Sequence, residues 1–359
     1  MTPPSHSRFD ALDGMRGLAA LFVMVYHVSK QNGLHLARGS YAAVDLFFIL
    51  SGFVIMHSYG RAILGGMGFG EYLKARLIRL APLYLVGLAL GFTAMMVTVL
   101  YRPHGDLTVA DVWRAGGLAL AGLPYLNGLT WPLGHQLFLG PIFPLNGPSW
   151  SLFFELMVNI VFFFYLLRLR QVRAWHVGVL MAVLLAIELH TGEMNAGWGQ
   201  SNFWLGFPRV AAEFLLGALL YVWYPRWKLL FKPLQLALIA AVFALFLSSS
   251  ERKVLLDALV LSPLAILAGA HLQLGEHARA VCRWLGELSY PIYVVHVPLH
   301  ALAIACFGLE QLPPLPQLLI VVVAAVLSAI VLNQVDARVR KALKARLLPR
   351  ASQPGRATA

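Results

Sequence analysis

Cysteine is almost missing from this chain. Cys282 and Cys306 are the only two in 359 residues, and with no C-x-x-C spacing they make neither a disulfide framework nor a thiolate metal site. They read as small apolar filler. No H-E-x-x-H, Walker or G-x-G-x-x-G pattern is present to anchor a metal, a nucleoside triphosphate or a dinucleotide. Charge is also scarce, at 12% of residues, where a soluble domain carries about a quarter. In its place stand 59% hydrophobic residues and a mean hydropathy of +0.71. Together these exclude an ordinary soluble domain and give an all-α polytopic membrane protein. The net charge of +12 would suggest nucleic acid in a soluble protein. Here the topology accounts for it.

Apolar runs fall near 14–29, 43–59, 80–100, 150–167, 174–189, 203–223, 233–248, 254–272, 285–307 and 316–335. That predicts about ten transmembrane helices, several short of the roughly 20 residues a bilayer needs. With the N-terminus inside, and Arg76 and Arg79 counted with their loop, 20 Lys and Arg fall on the cytoplasmic side and 7 on the other. The positive-inside rule is then satisfied with both termini in the cytoplasm. Residues 1–340 read as one membrane domain, and 341–359 as a basic cytoplasmic tail, disordered at its end and solvated or lipid-facing rather than a nucleic-acid arm. The Gly-, Pro- and Trp-rich stretch 101–148 reads as an external or re-entrant cap, since a span there would reverse every later loop and break the charge bias. Nothing resembles a cleavable signal: the first apolar run lacks a basic leader and a small-residue cleavage site. No internal repeat is visible.

Polar groups interrupt the lipid-facing runs. Asp13, Arg16 and His27 lie in the first. Eleven residues at about 100° each return a helix to within roughly 20°, so Arg16 and His27 share a face about 16 Å apart along the axis. A cation at the centre of a membrane helix costs about 2.5–3.5 kcal/mol, so it seldom sits there without a partner or a role. Snorkelling of Arg16 is the plainer alternative. Arg76 and Arg79 form R-x-x-R at the start of the third run, on one helix face, followed by Pro82 in an early turn. The pair suits a phosphate or pyrophosphate, or simple anchoring. Trp150 precedes a stripe of Ser151, Glu155 and Asn159 on the fourth run, where the carboxylate faces either a wet cavity or a buried arginine. Arg209 and Glu213, i and i+4 on the sixth, read as an ion pair. Ser289, Tyr290, Tyr293, His296 and His300 gather on the ninth beside Pro291 and Pro298, which free backbone carbonyls within the span. Five runs thus turn polar residues toward what one polar interior cavity would collect.

Five blocks in order resemble the membrane acyltransferase-3 family of bacterial polysaccharide and lipopolysaccharide O-acyltransferases. They are Arg8 to Ala19 ending at His27, Val44 to Ile55, Arg76 to Pro82, Trp150 to Glu155, and Ser289 to His296. The family's R-x10-H motif falls on Arg16 and His27, and its R-x-x-R on Arg76 and Arg79. Some members carry a fused SGNH esterase-like domain; the sequence ends at Ala359, and a stand-alone form is expected. The resemblance implies an integral enzyme of the bacterial cytoplasmic (inner) membrane that moves an acyl group, acetyl first, from cytoplasmic acyl-CoA to a hydroxyl of a glycan or glycolipid. Acyl-CoA is then a co-substrate, and no bound cofactor, metal or nucleic-acid partner is expected. Arg76 and Arg79 would hold the CoA phosphates. His27 would be the general base, an imidazole suiting proton removal near pH 7. Arg16 and Asp13 would shape the donor end or pair with each other, and Trp150, Glu155, Tyr293 and His296 would orient His27 or the acceptor. A transporter or flippase for a polar or amphipathic solute is the alternative from the spans alone, supported by the breaking prolines and lacking an inverted repeat. A polyprenyl-linked glycosyltransferase ranks last, because the cap offers only scattered Asp106 and Asp111.

Overall fold

The computed structural model describes residues 8–102, 107–133, 136–192, 195–227, 231–248 and 260–348. Asp106 and the tail from 349 lie outside the described residues. Among those described, helices dominate: α1 Asp10–Gln31, α2 Ala43–Leu64, α3 Phe69–Tyr101, α4 Val109–Leu120, α5 Ser149–Leu169, α6 Ala174–Thr191, α7 Gly206–Trp223, α8 Lys232–Leu247, α9 Ser262–His271, α10 Glu276–Phe307 and α11 Pro314–Leu347. Eight segments, α1, α2, α3, α5, α6, α7, α10 and α11, are long and apolar enough to cross a membrane. α8 is a shorter apolar helix, and α9 has 10 residues. The protein is an all-α, multi-pass membrane protein. On α11, Leu319, Val323, Leu327 and Val331 are exposed at helical spacing, the pattern of a face turned to lipid.

Glycine sets how closely the central helices approach. In α1 and α10, which run parallel, Gly14 lies against Cys282, Gly17 against Leu285 and Gly286 against Asp13. A Cβ on Gly17 would sit 2.5 Å from the Leu285 backbone. In α2 and α7, which also run parallel, a Cβ on Gly52 would sit 1.9 Å from the Phe214 carbonyl oxygen, and one on Gly217 1.8 Å from that of Ile49. Membrane helices gain their association from such packing, because lipid supplies no hydrophobic drive between them. The blocking atoms at Gly52 and Gly217 are backbone, so nothing small can yield. Gly217→Val is expected to cost at least the 1–3 kcal/mol typical of overpacking, about that or more, read as lost monodisperse protein and a lowered Tm in detergent. A wild-type melting profile would contradict this packing.

The prolines fall inside helices. Pro298 removes the N–H that would bond the Val294 carbonyl, and Asn146 Nδ2 takes that place at 3.0 Å. α3 starts at Phe69, so Arg76, Arg79 and Pro82 all lie within the helix. The two arginines share a helix, as their spacing predicts, while the expectation that Pro82 sits in an early turn is corrected. The two guanidiniums depress local hydropathy and hide the helix start from an apolar window.

Between α3 and α5 the chain forms α4 and an antiparallel hairpin, β1 Thr130–Leu133 with β2 Gln136–Leu139. Twelve residues make α4 too short to cross. Its start is a capping box: Thr108 Oγ1 accepts from the Asp111 backbone N–H while the Asp111 carboxylate accepts from that of Thr108, and the Thr108 hydroxyl holds the Asp111 carboxyl below its ordinary range. Asn127 ties the hairpin down, its Oδ1 accepting from Trp131 Nε1 at 2.9 Å. Gln136 Nε2 donates to the Lys30 carbonyl at 3.0 Å. The segment therefore covers the end of the bundle where α1 finishes.

Candidate active site

Because α1 and α10 run parallel at close range, polar residues on their facing stripes meet level by level. At the α1 start, Arg16 Nε donates to Ser289 Oγ at 3.0 Å. Its Nη2 donates to Asp13 Oδ1 and to the Gly286 carbonyl, both at 3.0 Å. Asp13 also accepts from Arg8 at 2.6 Å. Arg16 is thus a paired, partly exposed cation rather than a free snorkelling one. Three turns further, His27 Nδ1 lies 2.9 Å from His296 Nε2, with the two ring planes within 10° of parallel. One turn beyond, His300 Nδ1 lies 2.7 Å from Gln31 Oε1.

The hydrogen-bond geometry fixes both imidazole tautomers. His296 Nδ1 lies 2.9 Å from the Ile292 carbonyl, which only accepts, so Nδ1 carries the proton. His296 Nε2 then holds a lone pair and accepts from His27 Nδ1–H. What remains on His27 is an Nε2 lone pair, with no hydrogen-bond partner among the described residues. A carbonyl, a histidine and a second histidine in line deliver a base with its acceptor nitrogen free.

Two cavities open on this axis. The larger, about 480 Å³, takes in Asp13, Arg16, Arg76, Arg79, Glu155 and Ser289. Within it Arg76 Nη2 pairs with Glu155 Oε1 at 2.8 Å, and Ser51 Oγ donates to the same oxygen at 3.1 Å. Behind them Tyr72 donates to Asn159 Oδ1 at 2.7 Å, and Asn159 Nδ2 to the Glu155 carbonyl at 2.7 Å. Arg79 lies 5.8 Å from the centre of the Tyr290 ring and has no carboxylate within ion-pair range among the described residues. Tyr290 is itself fixed by donating to the Leu80 carbonyl at 2.6 Å. The larger cavity therefore presents one uncommitted guanidinium beside a committed one. The smaller cavity, about 140 Å³, lies toward the cap and takes in His27, Lys30, Phe138, Trp150 and Trp198.

Trp150 is backed by a charge cluster. The Arg209 guanidinium lies 5.7 Å from its ring, donates to Asp45 from Nε at 2.8 Å and Nη2 at 2.5 Å, and gives Nη1 to the Ala196 carbonyl at 2.9 Å. Glu213 follows at 3.6 Å. All three charged side chains are 0–1% exposed.

A family model described as an acyltransferase domain, acyltransferase-3, matches residues 9–334. The chain belongs to the acyltransferase-3 family. A protein of Rhizobium radiobacter named protein 2 in the picA locus is 42% identical over 45% of this chain and 83% of its own length. A candidate peptidoglycan O-acetyltransferase of Bacillus subtilis (strain 168), YrhL, is 25% identical over 83% of this chain, which spans 49% of that protein. The exopolysaccharide production protein ExoZ of Rhizobium meliloti (strain 1021) is 25% identical over 76% of this chain and 80% of that one. No solved structure matches the chain.

In this acyltransferase-family protein the structure gathers Asp13, Arg16, Arg76, Arg79 and Glu155 at one cavity and His27 and Trp150 at the other. Of the residues expected to orient His27, His296 touches it. Glu155 instead pairs with Arg76, and Tyr293 bonds Ser151. Arg209 has its chief partner on another helix. Asp45 is the residue that sequence reasoning missed, and its signal was present: a lone acid beside a long apolar run needs a cationic partner.

Proposed function

We propose that this acyltransferase-3 protein moves an acyl group, acetyl foremost, from acyl-CoA in the larger cavity to a hydroxyl of a glycan or glycolipid at the smaller one. The observation that carries the reading is the relay from Ile292 through His296 to His27, which ends in a free Nε2 lone pair beside a cavity. His27 Nε2 takes the proton of the acceptor hydroxyl as its oxygen attacks the thioester carbon. The tetrahedral intermediate collapses with loss of the CoA thiolate, and the His27 imidazolium returns the proton to that sulfur. The charge on His27 is shared with the His296 lone pair. Transfer is direct, with no acyl-histidine intermediate.

Arg79 supplies the donor's phosphate contact, because Arg76 is already spent on Glu155. The relatives' names point the same way: one is a candidate peptidoglycan O-acetyltransferase and another acts in exopolysaccharide production. With the N-terminus inside the bacterial inner membrane, the larger cavity faces the cytoplasm, where acyl-CoA is made. The acceptor's smaller cavity faces out, under the cap.

Calorimetric titration with CoA tests the donor assignment. A charge-assisted bond to phosphate is worth about 1.5–3 kcal/mol, so Arg79→Gln is expected to weaken CoA binding about 10- to 100-fold. Unchanged affinity in the folded variant would overturn Arg79 as the phosphate ligand. A wild-type protein that binds no CoA would overturn the donor itself.

A further inference from the structure

Among the described residues, one lines both cavities: Tyr293. Its hydroxyl lies 2.7 Å from Ser151 Oγ. Ser151 spends its own hydrogen on the Pro148 carbonyl at 3.1 Å, so in this pair Tyr293 is the donor. The ring is braced edge-on by Phe47, with centroids 5.6 Å apart and planes at 88°. Tyr293 is 6% exposed, although two cavities abut it. Arg16 and Arg79 line one of these cavities and His27 the other.

We propose that Tyr293, latched to Ser151, is the partition between a donor chamber and an acceptor chamber, and that the acyl-pantetheine arm of the donor must displace its ring to reach His27. This rests on the acyl-transfer reading above. Opening breaks one neutral hydrogen bond and turns one side chain, a barrier suited to being overcome when the arm binds. In the closed position the ring keeps water and acceptor hydroxyls of the capped face away from a waiting thioester. Without it, water at His27 would attack the thioester carbon, releasing free carboxylic acid and CoA thiol. Tyr293 is thus a positioning residue that couples thioester cleavage to the presence of an acceptor.

The test compares two rates in the purified full chain: acetyl-CoA hydrolysis without acceptor, and acetyl transfer to cell-envelope glycan. In wild type the ratio of hydrolysis to transfer is expected to be low. Tyr293→Ala is expected to raise it at least about tenfold, with Tyr293→Phe and Ser151→Ala between. A merely structural role would lower both rates together and leave the ratio unchanged, and that result in a folded Tyr293→Ala would overturn the partition. A second measurement needs no activity. In a Cys282→Ala, Cys306→Ala background, Val54→Cys places a thiol in the larger cavity. A membrane-impermeant thiol reagent is expected to reach it from the donor face alone with Tyr293 present, and from both faces after Tyr293→Ala. Labelling from both faces with Tyr293 intact would overturn the proposal. If wild type transfers no acetyl group, the acyltransferase reading falls, and the labelling still decides whether Tyr293 separates the chambers.

Discussion

His27→Ala is expected to lower acyl transfer by about 10²–10⁴-fold, the usual worth of a positioned general base, while leaving the thermal stability of the purified protein close to wild type. The stability expectation follows from the geometry. Among the described residues His27 makes one side-chain hydrogen bond, to His296, and its removal leaves His296 with an unused lone pair beside a cavity that water can enter. Loss of His296 acts differently. His296→Ala leaves the base in place but removes the acceptor that pins its tautomer, so a smaller loss is expected. His296→Gln retains a carbonyl oxygen able to accept from His27 Nδ1 and is expected to keep more activity than the alanine variant. If His27→Ala transferred at the wild-type rate, the base would lie elsewhere. If it failed to fold, the relay would be structural.

Breaking the Asp45–Arg209 pair is expected to produce the largest loss of stability in the molecule. Removing one partner of a fully buried pair strands a charge, at about 3–5 kcal/mol. Both side chains are 0–1% exposed, and the arginine fork also supports the Ala196 carbonyl and faces Trp150. Arg209→Met and Asp45→Leu singly should therefore lower Tm sharply. The double variant should recover part of the loss, because replacing a buried pair by apolar residues is often close to neutral. Glu213→Gln is expected to be nearly silent: its carboxylate stands 3.6 Å from Arg209 Nε, while the fork itself engages Asp45. Equal destabilisation by Glu213→Gln and Arg209→Met would contradict this division of roles.

Much of the site was legible because charged and imidazole side chains are conspicuous in apolar helices. Arg16 and His27 announce a shared face through the helical repeat alone. Their partners do not, because the register between α1 and α10 is fixed by Gly14, Gly17 and Gly286 in three dimensions and leaves no periodic trace. Glu155 was legible as facing a wet cavity or a buried arginine, yet only the fold shows that the arginine is Arg76. Asp45 hid at the head of an apolar block. The apolar run 254–272 lies in part outside the described residues, and within it α9 covers Ser262–His271. Tyr293 was legible as polar and interior, but its place between two cavities depends on how α2, α5 and α10 converge.

The measurement that bears most directly on the whole account is acetyl-CoA thioester cleavage by the purified protein in nanodiscs supplied with crude cell-envelope glycan, wild type beside His27→Ala, with the glycan analysed for added acetyl mass. The account predicts CoA release and acetylated glycan from wild type and neither, above background, from a folded His27→Ala. No cleavage with any acceptor from a folded wild-type protein that also fails to bind CoA would contradict it.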